Sequence, residues 1–173
     1  VNIVVDDGRA FLQRTDKKYD VIIMGLADSH TLSSSMTNLR LDHYLYTKES
    51  FERVRELLKD DGILFLSFEV TRPWIGSRID RGLTDVFGQK PQAFEVRSQG
   101  VLGWGGVSFV SAKNPETITK ILDSDPGLKN YIDKNARVYE GNTRPLTDNW
   151  PYLYLDEPRL PIIHVIVALV LGG

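Results

Sequence analysis

Two short clusters in this sequence combine residue types that could do chemistry, and each follows an apolar run. The first is Asp6-Asp7-Gly8, where a carboxylate can accept hydrogen bonds and the glycine lets a flat ring approach the backbone closely. The second contains Asp28 and His30, which offer a carboxylate and a base that titrates near neutral pH. Together they favour a site that binds an organic ligand and moves a proton.

Each cluster also has a purely structural interpretation. Asp7 can cap a helix that starts at Arg9, a role that is compatible with ligand binding. Asp28 and His30 could belong to a turn exposed to water. A third candidate, Glu69, follows another apolar run, and a surface charge is its simpler interpretation.

The clearest helix lies between two apolar runs that predict strands. Thr47 can cap this helix, Glu49 lies favourably in its first turn, and Gly62 is expected to end it. The run at residues 19–24 is continuously apolar after Asp20, and the run at 63–68 has the same character, which is typical of parallel strands buried on both faces. The pattern therefore predicts a right-handed βαβ unit.

The remaining elements continue an alternation of helices and strands. Residues 2–5 predict a strand and residues 9–14 a brief helix. After the βαβ unit, the sequence predicts a helix at 73–87, an antiparallel hairpin of strands 93–97 and 106–112, short helices at 117–122 and 126–134, and an extended tail at 143–154. This order predicts a doubly wound α/β fold that ends in an antiparallel hairpin.

The beginning of such a fold is not visible. A doubly wound domain normally opens with a strand, a G-x-G-x-x-G turn and an acidic residue about 20 residues later. No such turn precedes residues 2–5. We therefore expect the chain to hold only the C-terminal half of the fold.

A long connection separates the first strand of the βαβ unit from its helix. Residues 25–46 predict no secure helix, and loops of this length in compact domains are usually functional or disordered. Apolar anchors such as Leu32, Met36 and Leu39 favour an ordered lid over a pocket. An amphipathic surface helix is the alternative.

Composition excludes several classes of function. The net charge of -2 and the pI near 5.9 give no basic excess for nucleic-acid binding. The absence of cysteine removes thiolate nucleophiles and cysteine metal sites. The three histidines, His30, His43 and His164, do not have the spacing of a metal site.

Three segments together resemble the spermidine synthase family of polyamine aminopropyltransferases. They read VVDDGRAFL, KKYDVIIMGLADSH and YLYTKESFERVRELLKDDGILFLSF, and they cover residues 1 to about 70. The tail LTDNWPYLYL, followed by an apolar run, is similar to polytopic members in which a synthase-like domain is fused to membrane helices. The resemblance implies the Rossmann-like fold of class I S-adenosylmethionine-dependent methyltransferases.

The resemblance implies a cofactor-binding role for the first cluster. Asp7 matches the family's aspartate that accepts a hydrogen bond from the adenine amino group, and Asp6 and Gly8 lie beside it. The expected ligand is S-adenosylmethionine or its decarboxylated form, acting as co-substrate, and no metal is expected.

The second cluster matches the family's catalytic loop, which reads roughly D-S-S-D-P. Asp28 matches the second acid, whereas Gly25 stands where the first acid helps to deprotonate the attacking amine. His30, two residues after Asp28, could substitute as the base. The resemblance implies aminopropyl transfer to a diamine, with methyl transfer as the nearest variant. Gly25 also keeps open a catalytically inactive cofactor-binding domain of a membrane protein.

The C-terminal residues are strongly apolar. A membrane-spanning helix needs about 20 such residues, and the run at 160–173 is shorter. Pro158, Arg159 and Pro161 mark its start. We expect residues 1–155 to form the partial synthase-like domain and 156–173 to begin a truncated transmembrane helix, with a buried terminal helix as the alternative. The protein would then be membrane-attached, with a cytoplasmic domain that takes a small molecule such as a polyamine and could form a homodimer.

Overall fold

A mixed four-stranded sheet forms the centre of the molecule. The computed structural model describes residues 2–25, 41–97 and 105–157, together with 167, 169 and 170. The strands lie in the order β1-β2-β4-β3, with β1 parallel to β2 and with β4 antiparallel to both β2 and β3. Their bounds are Tyr19–Met24 for β1, Leu58–Phe68 for β2, Gln92–Val96 for β3 and Gly106–Ala112 for β4. The chain is therefore an α/β protein that ends its sheet in an antiparallel hairpin.

The helices cover both faces of this sheet. Their bounds are Gly8–Arg14 for α1, Lys48–Leu57 for α2, Pro73–Phe87 for α3, Pro115–Ser124 for α4 and Pro126–Asn135 for α5. A 3-10 helix, Leu41–Tyr46, precedes α2. Because α2 connects the parallel strands β1 and β2, the predicted βαβ unit is present.

The main core lies between α2, α3 and one face of the sheet. Thr47 caps α2 by accepting a hydrogen bond from the backbone N–H of Ser50, and this orients the helix's apolar face. Fully buried side chains from these elements meet there, and each such burial contributes about 1.5–3 kcal/mol. They are Phe51 and Val54 of α2, Leu64, Leu66 and Phe68 of β2, and Ile75, Ile79 and Leu83 of α3.

The end of α3 is set by one glycine. Gly88 caps the helix with a φ of 77°, in the left-handed region where a side chain would be strained. On the other face of the sheet, Phe65, Phe94 and Val110 point toward α4 and α5 and line a small apolar cavity of about 140 Å³. Alternation along the strands separates these residues from the main core.

Three sequence predictions about local structure were wrong. Residues 2–5 form no strand: Ile3 is 84% exposed, and the segment pairs with no strand among the described residues. β1 is not buried on both faces, since it is the edge strand and Ile23 is 71% exposed. α2 ends at Leu57 rather than at Gly62, because Leu58 already pairs with Tyr19 in the sheet.

Up to residue 157, the tail after α5 packs along α3 without forming a helix or strand, but it is not extended throughout as predicted, because a turn interrupts it at 147–150. Burying Leu146 and Leu153 in the core holds it there. In the part of the chain that the structure describes, no helix has the length and apolarity to cross a membrane. Most of segment 156–173 lies outside the described residues, so its membrane span stays a prediction.

Candidate functional site

The carboxyl ends of three strands meet at one edge of the sheet. β3 runs in the same direction as β2 because both are antiparallel to β4, and β1 is parallel to β2. Gly25, Glu69 and Arg97 directly follow these three strands. Ligands of open α/β sheets bind outside the carboxyl ends of the strands, so this edge is the candidate site.

Asp7 lies at the start of α1 and caps it. Its Oδ1 accepts a hydrogen bond of 2.8 Å from the backbone N–H of Ala10, and its carbonyl accepts one of 2.8 Å from Phe11. The predicted capping role is therefore confirmed. A carboxylate has a second acceptor oxygen, so capping through Oδ1 leaves Oδ2 able to accept a hydrogen bond from a ligand.

Asp6 turns back toward its own helix. Its Oδ1 accepts a hydrogen bond of 2.9 Å from the backbone N–H of Asp7, and its Oδ2 forms an ion pair with Arg14 in the last turn of α1. These contacts stabilise the turn before α1. Direct binding of a ligand by Asp6 stays a prediction.

Gly8 brings α1 close to the 3-10 helix that precedes α2. A Cβ built on Gly8 would lie 3.3 Å from Cδ2 of Leu45, so a larger residue would displace that leucine. Leu45 follows residues 26–40 in the chain, where the predicted catalytic residues Asp28 and His30 fall outside the described residues. The contact places the Asp7–Gly8 turn beside the element that leads out of the predicted catalytic loop.

An open pocket of about 470 Å³ lies at the carboxyl ends of β2 and β3. Its lining includes the half-buried Glu69, together with Glu95, which forms an ion pair with Arg137. Tyr139 also lines it, and burial raises the pKa of this phenol, an effect that the charge of Arg137 opposes and that of Asp80 reinforces. The same lining contains Arg97 and Arg137, so the pocket joins two carboxylates, two guanidinium groups and a neutral phenol.

His43 is a structural residue in this fold. It is fully buried, its Nδ1 lies 3.1 Å from the carbonyl oxygen of Pro151, and its ring meets Tyr154 edge-on. Within residues 2–25, 41–97 and 105–157, no group of three or more His, Asp or Glu side chains could hold a metal ion.

The sequence named Glu69 as a candidate, but it favoured a surface charge. The structure places Glu69 half-buried in a pocket that forms because β3 and β4 fold beside β2. The sequence analysis missed Asp148 of the C-terminal tail, whose Oδ2 lies 2.9 Å from Nη2 of Arg9 next to the Asp7–Gly8 turn. Residues this far apart in the chain form no sequence pattern from which their contact could be predicted.

The chain belongs to the spermine/spermidine synthase domain family, which matches residues 1–94. A polyamine aminopropyltransferase of Saccharolobus solfataricus is 27% identical over 154 residues, which cover 87% of this chain and 47% of the relative. A polyamine aminopropyltransferase of Pyrobaculum calidifontis is 38% identical over 65 residues, which cover 36% of this chain and 20% of the relative. The chain spans about half the length, or less, of these curated relatives.

Two solved structures resemble this chain. Human methyltransferase-like protein 13, in complex with SAH, superposes with a TM-score of 0.52 at 17% identity, over 82% of this chain and 63% of that protein. Spermidine synthase from Thermotoga maritima gives a TM-score of 0.49 at 20% identity, over 99% of this chain and 50% of that protein. The superposition with the human protein confirms the predicted methyltransferase-like, Rossmann-like fold class.

Proposed function

We propose that this chain binds decarboxylated S-adenosylmethionine, or S-adenosylmethionine, and takes part in aminopropyl transfer to a small polyamine. The observation that carries the proposal is the Asp7–Gly8 turn. It presents a carboxylate and a side-chain-free backbone at the start of α1, inside the segment that matches the synthase family. An adenine needs such a partner, because its amino group donates a hydrogen bond and its ring is flat.

The transfer step makes demands that the chain's residues would have to meet. The acceptor's amine nitrogen forms a bond to the carbon next to the sulfonium, the carbon–sulfur bond breaks, and a neutral thioether leaves. The amine must first lose a proton, since an ammonium with a pKa near 10 has no lone pair. A positioned base typically contributes about 10² to 10⁴ in rate. Asp28 and His30 are the proposed proton acceptors.

The pocket at the carboxyl ends of β2 and β3 is the place that we propose for the acceptor. It lies at the edge where ligands of open α/β sheets bind, and its charged lining holds Glu69 and Glu95 together with Arg97 and Arg137.

Calorimetry on the full-length protein tests the co-substrate site. The ligands are S-adenosylmethionine, its decarboxylated form and methylthioadenosine, compared between the wild type and Asp7→Asn. Asparagine is as good a helix cap as aspartate, so α1 keeps its start, but the amide NH₂ then opposes the adenine amino group. A lost hydrogen bond to a charged group costs about 1.5–3 kcal/mol, so we expect affinity to fall about 10- to 100-fold.

Asp123→Asn is the matched control for this measurement. Asp123 is an exposed acid whose ion pair with Lys129 lies on α4 and α5, away from the carboxyl edge, and its variant should bind as the wild type does. No binding of any of the three ligands by the wild type would refute the proposal. Equal losses in both variants would show that Asp7 has no specific role.

Gly25 favours a second candidate function, a domain that binds the co-substrate without transferring it. Incubation with decarboxylated S-adenosylmethionine and putrescine separates the two, with mass spectrometry of the product. Among the described residues, a Cβ at Gly25 would meet no atom within 4 Å, so the Gly25→Asp variant has room for an acid. If the wild type binds the co-substrate without transferring the aminopropyl group, and Gly25→Asp does transfer it, the chain is a binding domain that has lost its base.

A further inference from the structure

A carboxylate from the C-terminal tail joins the starts of two helices that are distant in sequence. Oδ2 of Asp148 accepts a hydrogen bond of 2.9 Å from Nη2 of Arg9, in the first turn of α1. Oδ1 of the same side chain accepts one of 2.7 Å from the hydroxyl of Thr47, the residue that caps α2. Both carboxylate oxygens are thus used, one for each helix.

The backbone around Asp148 is held in the same place. The N–H of Asp148 donates to Oε2 of Glu49 at 3.0 Å, and the N–H of Lys48 donates to the carbonyl of Leu146 at 2.9 Å. Thr147 and Trp150 close a tight turn around Asp148 through a backbone hydrogen bond of 2.8 Å. These bonds fix the carboxylate relative to the start of α2 independently of Arg9.

The surroundings make the contacts strong. Thr47 is fully buried, the side chain of Arg9 is 15% exposed, and that of Asp148 is 39% exposed. Hydrogen bonds between a guanidinium and a carboxylate are shorter and stronger than neutral ones. The tail that carries Asp148 is itself held against α3 by Arg78, which donates to backbone carbonyls on both sides of Asp148.

Arg9 directly follows the Asp7–Gly8 turn. Its position decides where the first turn of α1 lies, and this turn carries the carboxylate proposed to bind the adenine. Asp148 therefore holds this part of the co-substrate site against α2. This helix and the 3-10 helix before it follow the predicted catalytic loop in the chain. From this geometry we infer that Asp148 is a positioning residue for the adenosyl co-substrate, an inference that rests on the proposed function.

A double-mutant cycle on ligand affinity tests this inference. Methylthioadenosine binding is measured by calorimetry for Asp148→Ala, Arg9→Ala and the double variant, well below their melting temperatures. Small displacements of binding groups can lower a rate by up to about 10²-fold. We expect the affinity for methylthioadenosine to fall about tenfold in each single variant. The double variant should lose no more than Asp148→Ala alone, because that variant already removes the contact with Arg9.

Milder variants and a control keep the result interpretable. Asp148→Asn retains an oxygen for Thr47 but loses the charge that attracts Arg9, so its affinity should lie between those of the wild type and Asp148→Ala. If Asp148→Ala does not fold, Asp148→Asn alone decides the outcome. Asp123→Asn should bind as the wild type does.

The outcomes separate this inference from the proposed function. If the wild type binds methylthioadenosine and the Asp148 variants bind it equally well, even with lower melting temperatures, Asp148 only stabilises the fold and the inference is wrong. Additive losses in the double variant would also overturn it. A wild type that binds no adenosyl ligand would refute the proposed function itself.

Discussion

Replacing Arg78 by methionine should detach the C-terminal tail from α3. The side chain of Arg78 is 1% exposed and lies between the rings of Trp74 and Trp150, with its guanidinium carbon 5.0 and 4.9 Å from their centres. It donates four hydrogen bonds of 2.7 to 3.1 Å to backbone carbonyls of the tail. These carbonyls belong to Arg144, Tyr152, Leu153 and Asp156.

The expected loss of stability is a balance of two terms. Hydrogen bonds to a charged group contribute about 1.5–3 kcal/mol each, so four sum to about 6–12 kcal/mol. Against this stands the cost of burying the charge, which lowers the pKa of Arg78 to about 10, although the negative charge of Asp156 opposes the shift. Breaking a buried charged contact typically costs about 3–5 kcal/mol net, and we expect that range for Arg78→Met.

Urea unfolding and thermal melting would measure this loss. A change of this size is a large share of the about 5–15 kcal/mol that stabilises a domain, and should lower the melting temperature by about 10 °C. Tryptophan fluorescence should change as well, because two of the rings pack on the guanidinium. Arg78→Lys should retain only part of the stability, since an ammonium cannot reach four carbonyls in fixed directions.

A neighbouring arginine provides the control. Arg81 lies on the same helix and bonds only the side chain of Asn142, near the surface, among the hydrogen bonds described for it. Arg81→Met should change the free energy of unfolding by less than about 0.5 kcal/mol. If Arg78→Met cost no more than Arg81→Met, the four carbonyl contacts would not be what holds the tail.

Two further predictions concern pH and the membrane. Burial raises the pKa of Asp80 above its ordinary 3.8, with Lys90 opposing the shift, so the folded state holds a proton that the unfolded state has released. The free energy of unfolding should therefore fall as the pH rises from 3.8 through the pKa of Asp80 in the folded state. Urea unfolding at a series of pH values should show a smaller fall for Asp80→Asn than for the wild type. The apolar run at 160–173 should make the protein sediment with membranes and require detergent for release. Recovery of the protein in the supernatant without detergent would contradict this prediction.

Elements with local signals were predictable from the sequence. α2 begins after Thr47 as expected, because a threonine side chain satisfies the first backbone N–H groups whatever surrounds the helix. The hairpin of β3 and β4 also lies close to the predicted positions. Asp7 caps α1 as expected. Each of these depends on residues within a few positions of one another.

Elements whose environment is set from elsewhere were not predictable. Apolar character alone predicted a strand at residues 2–5 and burial of both faces of β1. A strand requires a hydrogen-bonded neighbour, and burial requires a covering layer, neither of which an apolar run contains. The tertiary structure leaves Ile3 and Ile23 exposed.

The sequence by itself determined the family, the Asp7–Gly8 turn and the order of helices and strands from β1 to α5, because each depends on residue types that are close together in the chain. Only the tertiary structure decided that the tail lies beside the Asp7–Gly8 turn. Asp148 meets Arg9 across 139 positions, and Arg78 holds the tail through carbonyl groups that every residue possesses. Every residue has a backbone carbonyl, so the sequence does not show which carbonyls accept a hydrogen bond from Arg78, and only the folded structure does.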